Sequence, residues 1–599
     1  MQLDQPGSWA VKDEDYSLGA FTIQPVDGIF EPLTVQLRGL LLYPVSNGGE
    51  KFPLIILAHG RHSASIENFR GLGYIGRRLA SHGYVCASID LNDLVGPQGT
   101  GVSKKPPIVT GGAIEHRART ILRTITALAE HPVCASLGNF KSVGLVGHSR
   151  GAEAACRAGA LDNELGGLHG IRAVFSIAPV DFMGVRPPLP FFLLYGDLDA
   201  DVSDGQSFRL WDRAASRRAG IFVSGAIHNY FSENWDSEWS TVNNRILSRD
   251  KHEALAKCYT TAFFERELRG ATGFDRILNG SVKPETLEAL ELFPLFSPVL
   301  RGDIDTFEGK FDIKTNGLGL GTETAGEIFI REIDLERFKI DAESIGNVIP
   351  KYLQYHQYLG DPNYAQYYDY LRSEIAAMVD AMLQALRYLA DAGNAQATAA
   401  LKEKLRQIDP TFDLTPAGWK VLHDKLVAAA TAKGVLLEIV DFVRRASPAD
   451  HAFNHVGKAL AIDWRAAGAI YRTALGDFNA SQFDTIAMRV GQNYGADQSP
   501  ALNTAGSPQT FTVELQDKNG IVATVNLELL GLHVPSPAAD QETFKTALTT
   551  IALPISLFSR PQQPDLRHLA SVALIFNNAR GSIAIDDLSF IKDGRHEAV

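Results

Sequence analysis

Cysteine is scarce in this chain: four residues, Cys86, Cys134, Cys156 and Cys258, among 599. So few cannot staple a protein of this length, and no disulfide scaffold is expected. Cys86 falls in a strand-like apolar run and Cys156 in a helical one, so both read as small buried hydrophobes. No Cys or His pair has the spacing of a zinc site, and His59-Gly-Arg-His62 is too tight for one. Basic runs longer than a pair are also missing, and the net charge is −12, which argues against a nucleic-acid partner. No apolar stretch reaches the roughly 18–20 residues of a membrane helix. The opening Met1-Gln-Leu-Asp-Gln-Pro6 lacks the basic-then-apolar pattern of a secretory leader. Cytoplasmic residence, or a leader already removed, is expected.

What is present is ordinary for a globular protein, with 45% hydrophobic and 21% charged residues. The length exceeds what one core fills, so several domains are expected. The most informative stretch is Val143-Gly-Leu-Val-Gly-His-Ser-Arg-Gly-Ala-Glu153. A short apolar run meets Gly147-His148-Ser149-Arg150-Gly151 and continues as an Ala-rich amphipathic segment, which reads as strand, tight turn and helix. Glycines flank the serine where side chains would clash, and the turn lifts Ser149 Oγ above the sheet at a helix N-terminus.

Around it the chain alternates strands and helices. Strands are expected at Phe21–Gln24, Leu33–Tyr43, Pro53–Ala58, Tyr84–Asp90, Val143–Val146, Ile171–Ile177, Phe191–Tyr195 and Ile221–Ser224. Helical spacing runs from Ile114 to Glu130 and from Ser248 to Arg269, with Gly270 as a stop. Such alternation predicts a mostly parallel sheet with its chemistry at the strand C-terminal ends.

A serine hydroxyl needs a base, and the base an orienting carboxylate. The strand ending at Tyr195 is followed by Gly196-Asp197-Leu-Asp199-Ala-Asp201-Val202, and the next strand by Gly225-Ala-Ile-His228. The Gly-x-x-Asp-x-x-Val frame favours Asp199 as the acid, with Asp197 and Asp201 as alternatives and turn formation as their plainer use. His228 is the expected base. An oxyanion calls for two backbone N–H donors, expected from Arg150, just after the serine, and from Arg61 in the loop after Pro53–Ala58. The side chains of Arg61 and Arg150 could salt-bridge to Glu153 or Asp90, or meet an anionic substrate. His62, His148, Tyr230, Phe231 and Trp235 are candidates to line a substrate cleft; aromatics that pack a loop onto the body would have the same composition.

Gly147-His-Ser-Arg-Gly151 together with His59-Gly60-Arg61 resembles the α/β-hydrolase serine esterases, in the branch of chlorophyllases, platelet-activating-factor-type acetylhydrolases and cutinase-like polyester hydrolases. The resemblance covers residues 1–295. It implies an α/β-hydrolase catalytic domain, a triad of Ser149, Asp199 and His228, an acyl-enzyme intermediate, and no metal or other cofactor. Ala152 departs from the pattern, where a second glycine often follows the turn; the effect should fall on helix packing. No long apolar cap interrupts the strands, so an open pocket is expected.

After Pro298 the texture changes. Asp305–Ile313 alternates, Asn316–Gly321 is a Gly-rich turn, and strand patterns resume near Lys458. Between them, 346–450 reads as a helical insertion, with helical periods over 364–392, 395–408 and 415–445. Its tyrosines at 352, 355, 358, 364, 367, 368 and 370 suit a core or a ligand face. Phe511–Asp517 and Ile521–Leu527 flank an Asp517-Lys-Asn-Gly520 turn, and Val572–Phe576 with Ser582–Phe590 reads as a last hairpin. A β-sandwich over 296–345 and 451–599 follows. Gly581-Ser-Ile-Ala-Ile-Asp-Asp-Leu-Ser-Phe590 and Ile304-Asp-Thr-Phe-Glu308 resemble the last and first strands of galactose-binding-like jelly rolls. That resemblance implies adjacent first and last strands, and either glycan contact or a structural or dimerising role; the calcium such sandwiches often carry is not expected here. The whole reads as a serine carboxylic-ester hydrolase acting on a small-molecule, polymeric or carbohydrate-linked ester. An amidase or peptidase using the same triad is the alternative, and a non-catalytic binding protein on the same scaffold a lesser one. Oligomeric state is not legible.

Overall fold

Strands buried on both faces must be apolar at every position, and β3 (Phe52–Ala58) shows how that burial is divided. In the computed structural model Leu54, Ile56 and Ala58 enter one apolar cluster and Ile55 and Leu57 the other, because successive side chains leave opposite faces of a sheet. The structure describes residues 3, 5–23, 33–46, 49–95, 110–181, 184–202, 206–239, 244–308, 313–335, 457–493, 502–504, 506–536 and 545–593. The expected helical insertion at 346–450, with its tyrosine cluster, lies outside them.

The first half runs β1 (Val11–Ile23), β2 (Leu33–Pro44), β3, α1 (Gly73–Ser81), β4 (Val85–Ile89), α2 (Thr110–Leu128), α3 (Pro132–Leu137), β5 (Gly138–His148), α4 (Arg150–Glu164), β6 (Ile171–Ile177), β7 (Phe191–Gly196), α5 (Gln206–Arg213), β8 (Arg218–Val223), α6 (Arg249–Arg269) and β9 (Leu292–Ser297). They form one nine-stranded sheet of order β1-β2-β4-β3-β5-β6-β7-β8-β9. The six strands from β4 to β8 in that order are parallel, and β1, β2 and β9 add antiparallel edges. Helices α2 and α4 cover one face through Ile114, Ala118, Ile121, Ala154 and Ala158, while α1 and α6 cover the other through Ile75, Leu79, Leu255, Tyr259 and Phe263. A boundary at 295 falls inside β9, which ends at Ser297.

The second half is antiparallel. Its strands are β10 (Arg301–Asp305), β11 (Thr322–Ala325), β12 (Ile328–Asp334), β13 (Lys458–Trp464), β14 (Ile470–Phe478), β15 (Thr485–Gln492), β16 (Phe511–Asp517), β17 (Val522–Asn526), β18 (Thr549–Pro554), β19 (Leu569–Phe576) and β20 (Gly581–Ile591). One sheet has the order β12-β13-β20-β15-β18 with β10 also on β20; the other is β11-β14-β19-β16-β17. Strands from before residue 336 and after residue 456 share both sheets, and the two sheets bury one common core. Two expectations are corrected. β19 and β20 are not a hairpin: they lie in opposite sheets, so Val572, Leu574 and Phe576 meet Ile583, Ile585 and Phe590 across the core. The alternation over 305–313 is not one strand, since β10 ends at Asp305 and Phe307 turns to φ 57°.

The two halves meet through buried charge. Arg489 of β15 pairs with Asp212 of α5 and with Asp586 of β20, and its Nε lies 2.9 Å from Asp587. Arg218 of β8 donates to both Asp587 oxygens at 2.8 Å. Trp211 carries Arg218 at 5.2 Å and Arg489 at 5.6 Å from its ring centroid. An extra residue in β20 opposite Ala487–Arg489 lets neighbouring Asp586 and Asp587 serve one cluster. Burial works against the charged form of Asp587, yet Arg218 and then Arg489 bring it down to about 2; burial pushes Asp586 well up. Removing the central cation strands these acids, so Arg489→Met is expected to destabilise the protein by about 3–5 kcal/mol, read as a lowered denaturation midpoint of the full chain.

Candidate active site

The turn after β5 is strained. Ser149 has φ 57° and ψ −124°, an unusual backbone for any residue but glycine, and α4 begins at once with Arg150. A Cβ on Gly147 would sit 2.3 Å from Gly151 O, and one on Gly151 would sit 2.1 Å from Ala58 O. Both contacts are to backbone, which cannot yield cheaply. The Ser149 N–H donates to Ile177 O, and its carbonyl accepts from Ala152 N, each at 2.9 Å.

Of the three acids after β7, one meets the histidine. Asp199 Oδ2 is 2.8 Å from His228 Nδ1, while Oδ1 accepts the N–H groups of Asp201 at 3.0 Å and Val202 at 2.8 Å. Asp197 turns away to Gly225 N at 2.6 Å and to Arg245. Asp201 is largely exposed and sets Oδ2 3.3 Å from His228 Nε2. That nitrogen is buried and makes no hydrogen bond among the described residues.

Burial opposes charge on both members of the buried pair, and mutual attraction wins. Asp199 is brought down to about 2 by His228, then by Lys545 and the hydrogen bonds it accepts. His228 is raised above its ordinary value, first by the charge of Asp199 and then by their hydrogen bond. Asp197, with burial as its largest influence, is raised instead.

Elements beyond the strand-end motifs hold these groups. Glu238 accepts the N–H of His228 at 2.6 Å and of Asn229 at 3.1 Å. His148 Nε2 lies 3.1 Å from the His228 carbonyl, so it is the protonated nitrogen, and burial holds this ring neutral. In the loop after β3, Leu91 N donates to His59 Nε2 at 2.9 Å, so His59 Nδ1 carries the proton and donates to Gly60 O at 2.7 Å. Arg117 of α2 donates to His59 O at 2.8 Å and Gly60 O at 3.4 Å. A trans peptide sends its N–H opposite to its C=O; with Gly60 O held inward, the Arg61 N–H faces outward. Burial, then the nearby Arg150 and Arg61, lowers Arg117 to about 9.

The loop lies against the serine: a Cβ on Gly60 would be 2.7 Å from Ser149 Cβ and 2.8 Å from Trp235 Cη2. Trp235 stacks on His62 at 4.9 Å and meets the His148 ring at 4.8 Å, with its N–H fixed by Asn68 Oδ1 at 2.8 Å. His62, His148 and Trp235 thus gather beside Ser149. Phe231 is fully buried against His252 at 4.8 Å, and Tyr230 lies under Arg249 at 4.6 Å, so these two fasten the loop to the body. Asp90 is engaged by Arg38 and by Asn92 N, with His59 Nε2 3.9 Å away.

Glu238, Arg117, Asn68 and Lys545 carry no motif and were not legible as site residues. Among the described residues, one trio of acids could converge on a cation: Asp212, Glu308 and Asp586, with ligand atoms within 4.8 Å. Arg489 already pairs with two of them, Asp212 and Asp586. No protein-family model and no curated protein matches the chain. In a histidine-selective NMR titration, His228 is expected to have its midpoint above the ordinary value of about 6.5. Asp199→Asn removes the charge and weakens the bond, and should move that midpoint down.

Proposed function

We propose that the chain is a serine hydrolase of carboxylic esters, with an α/β-hydrolase domain over residues 1–297 and a jelly-roll sandwich behind it. The observation that carries the reading is the 2.8 Å bond from His228 Nδ1 to Asp199, at the end of the sheet that presents Ser149. A histidine held through Nδ1 by an ionised carboxylate offers Nε2 as a base, and here Nε2 makes no hydrogen bond among the described residues, with Asp201 Oδ2 3.3 Å away. No bond joins Ser149 to it in this structure; such bonds commonly close only when substrate is seated.

In the proposed cycle Ser149 Oγ adds to the ester carbonyl while its proton passes to His228 Nε2. The oxyanion lies toward the N–H groups of Arg61 and Arg150, the second of which opens α4 and so adds the positive end of a helix dipole. His228 returns its proton to the departing alkoxide, leaving an acyl-serine. Water then repeats the sequence, giving the acid and the free serine. Esters rather than amides follow from the motif resemblance, and matched p-nitrophenyl esters and p-nitroanilides test that choice.

Ser149→Ala should lower ester kcat/KM by about 10⁴-fold or more with the melting temperature close to that of the parent. Turnover at the parent rate would sink the reading. Gly60→Ala forces the loop away from Ser149 and Trp235, and should lower kcat by about 10²-fold through displaced donors; unchanged kcat would show that the loop takes no part.

A further inference from the structure

We propose that Lys545 is a positioning residue for the acid loop, so that the C-terminal sandwich completes the site built on the nine-stranded sheet. Lys545 precedes β18 and is buried, at 7% exposure. Its ammonium donates to Asp199 O at 3.0 Å, Val202 O at 3.0 Å and Gly196 O at 3.4 Å. An ammonium has three N–H groups, and three carbonyls of a single seven-residue loop receive them.

The loop is therefore held from two sides. From within, Asp199 Oδ1 takes the N–H groups of Asp201 and Val202; from behind, Lys545 takes the carbonyls of Gly196, Asp199 and Val202. Val202 is fixed at both its N–H and its C=O, and the span that remains sets where Oδ2 meets His228. The lysine is itself anchored. Thr546 N donates to Leu335 O at 2.8 Å, Ala547 and Leu548 join the apolar cluster under the sheet, and Thr550 Oγ1 accepts from Phe296 N of β9 at 2.9 Å. Interface geometry is thereby passed to the acid.

Lys545 also places a charge that, after His228, is the strongest influence keeping Asp199 ionised. The groups facing His228 are Asp199 and Asp201 from the acid loop, Glu238 from its own loop and His148 from the end of β5. All three carboxylates favour the imidazolium; a cation behind Asp199 opposes it.

This proposal rests on the serine-hydrolase reading, and the experiment separates the two. Full-length Lys545→Met and Lys545→Gln are compared with the parent by ester turnover per folded molecule and by histidine-selective NMR. Gln keeps donors for the carbonyls and drops the charge, and it serves if Met fails to fold. Expected are kcat lowered at least about 10-fold with KM little changed, and a His228 midpoint raised by about half a pH unit. Lys545→Arg, which keeps the charge, should hold the midpoint near the parent value. A neutral variant that folds with parent kcat and an unmoved His228 midpoint overturns the proposal, leaving Lys545 as a fastening between domains. No Ser149-dependent hydrolysis in the parent overturns the enzyme reading instead, and the NMR shift then still decides whether Lys545 governs the Asp199–His228 pair.

Discussion

Ser149 sits at φ 57°, a conformation that costs on the order of 1–3 kcal/mol and persists only when its surroundings over-determine it. Those surroundings are the register of β3 against β5, in which Ala58 pairs with Gly147, and the contact of Gly151 with the Ala58 carbonyl. A slip of one residue would reverse every side chain in β3 and move that carbonyl. The same register brings the loop after β3 beside the serine. Strand pairing, the strained turn and the placement of the loop after β3 are thus one constraint, and each fails without the others.

Loops at strand ends need fixing, because their backbone groups have no ladder to join. Here the fixing comes from buried or half-buried charged side chains that bond main chain. Arg117 of α2 holds two carbonyls of the loop after β3, Lys545 of the sandwich holds three of the acid loop, and Glu238 takes two N–H groups beside His228. Charge-assisted bonds are roughly twice as strong as neutral ones, and each orients a peptide plane from its far side. The face toward the serine is left for other uses.

The junction between the halves follows the same habit. Instead of an apolar seam alone, it buries Arg489 and Arg218 among Asp212, Asp586 and Asp587 over the Trp211 ring. Such a cluster is a poor source of net stability, but it is intolerant of misalignment, because any shift leaves a charge unpaired in a dry interior. Lys545 also crosses from one half to the other, to the carbonyls of the acid loop.

Period and punctuation made much of this legible in the sequence. The apolar runs foretold the central strands, the spacing of Ile114, Ala118, Ile121 and Ile125 foretold α2, and the two glycines about Ser149 foretold the tight turn. His228 and Asp199 could be singled out because they follow consecutive strands. Local signals ended there. β19 and β20 looked like a hairpin since a connection as short as Asn577–Gly581 suits one, yet the choice of sheet is made by which core partners each strand finds. The roles of Arg117, Asn68 and Lys545 were hidden for the same reason. These three act across tens to hundreds of residues, and contacts at such separation leave no period in a sequence; Glu238 is only ten residues from His228 but belongs to no motif. Amino-acid order alone determined where the tight turn falls and which residues neighbour it along the chain; only tertiary packing decided the strain at Ser149 and which distant charges hold the loops around it, because register, burial and hydrogen-bond geometry exist only once the chain has closed on itself.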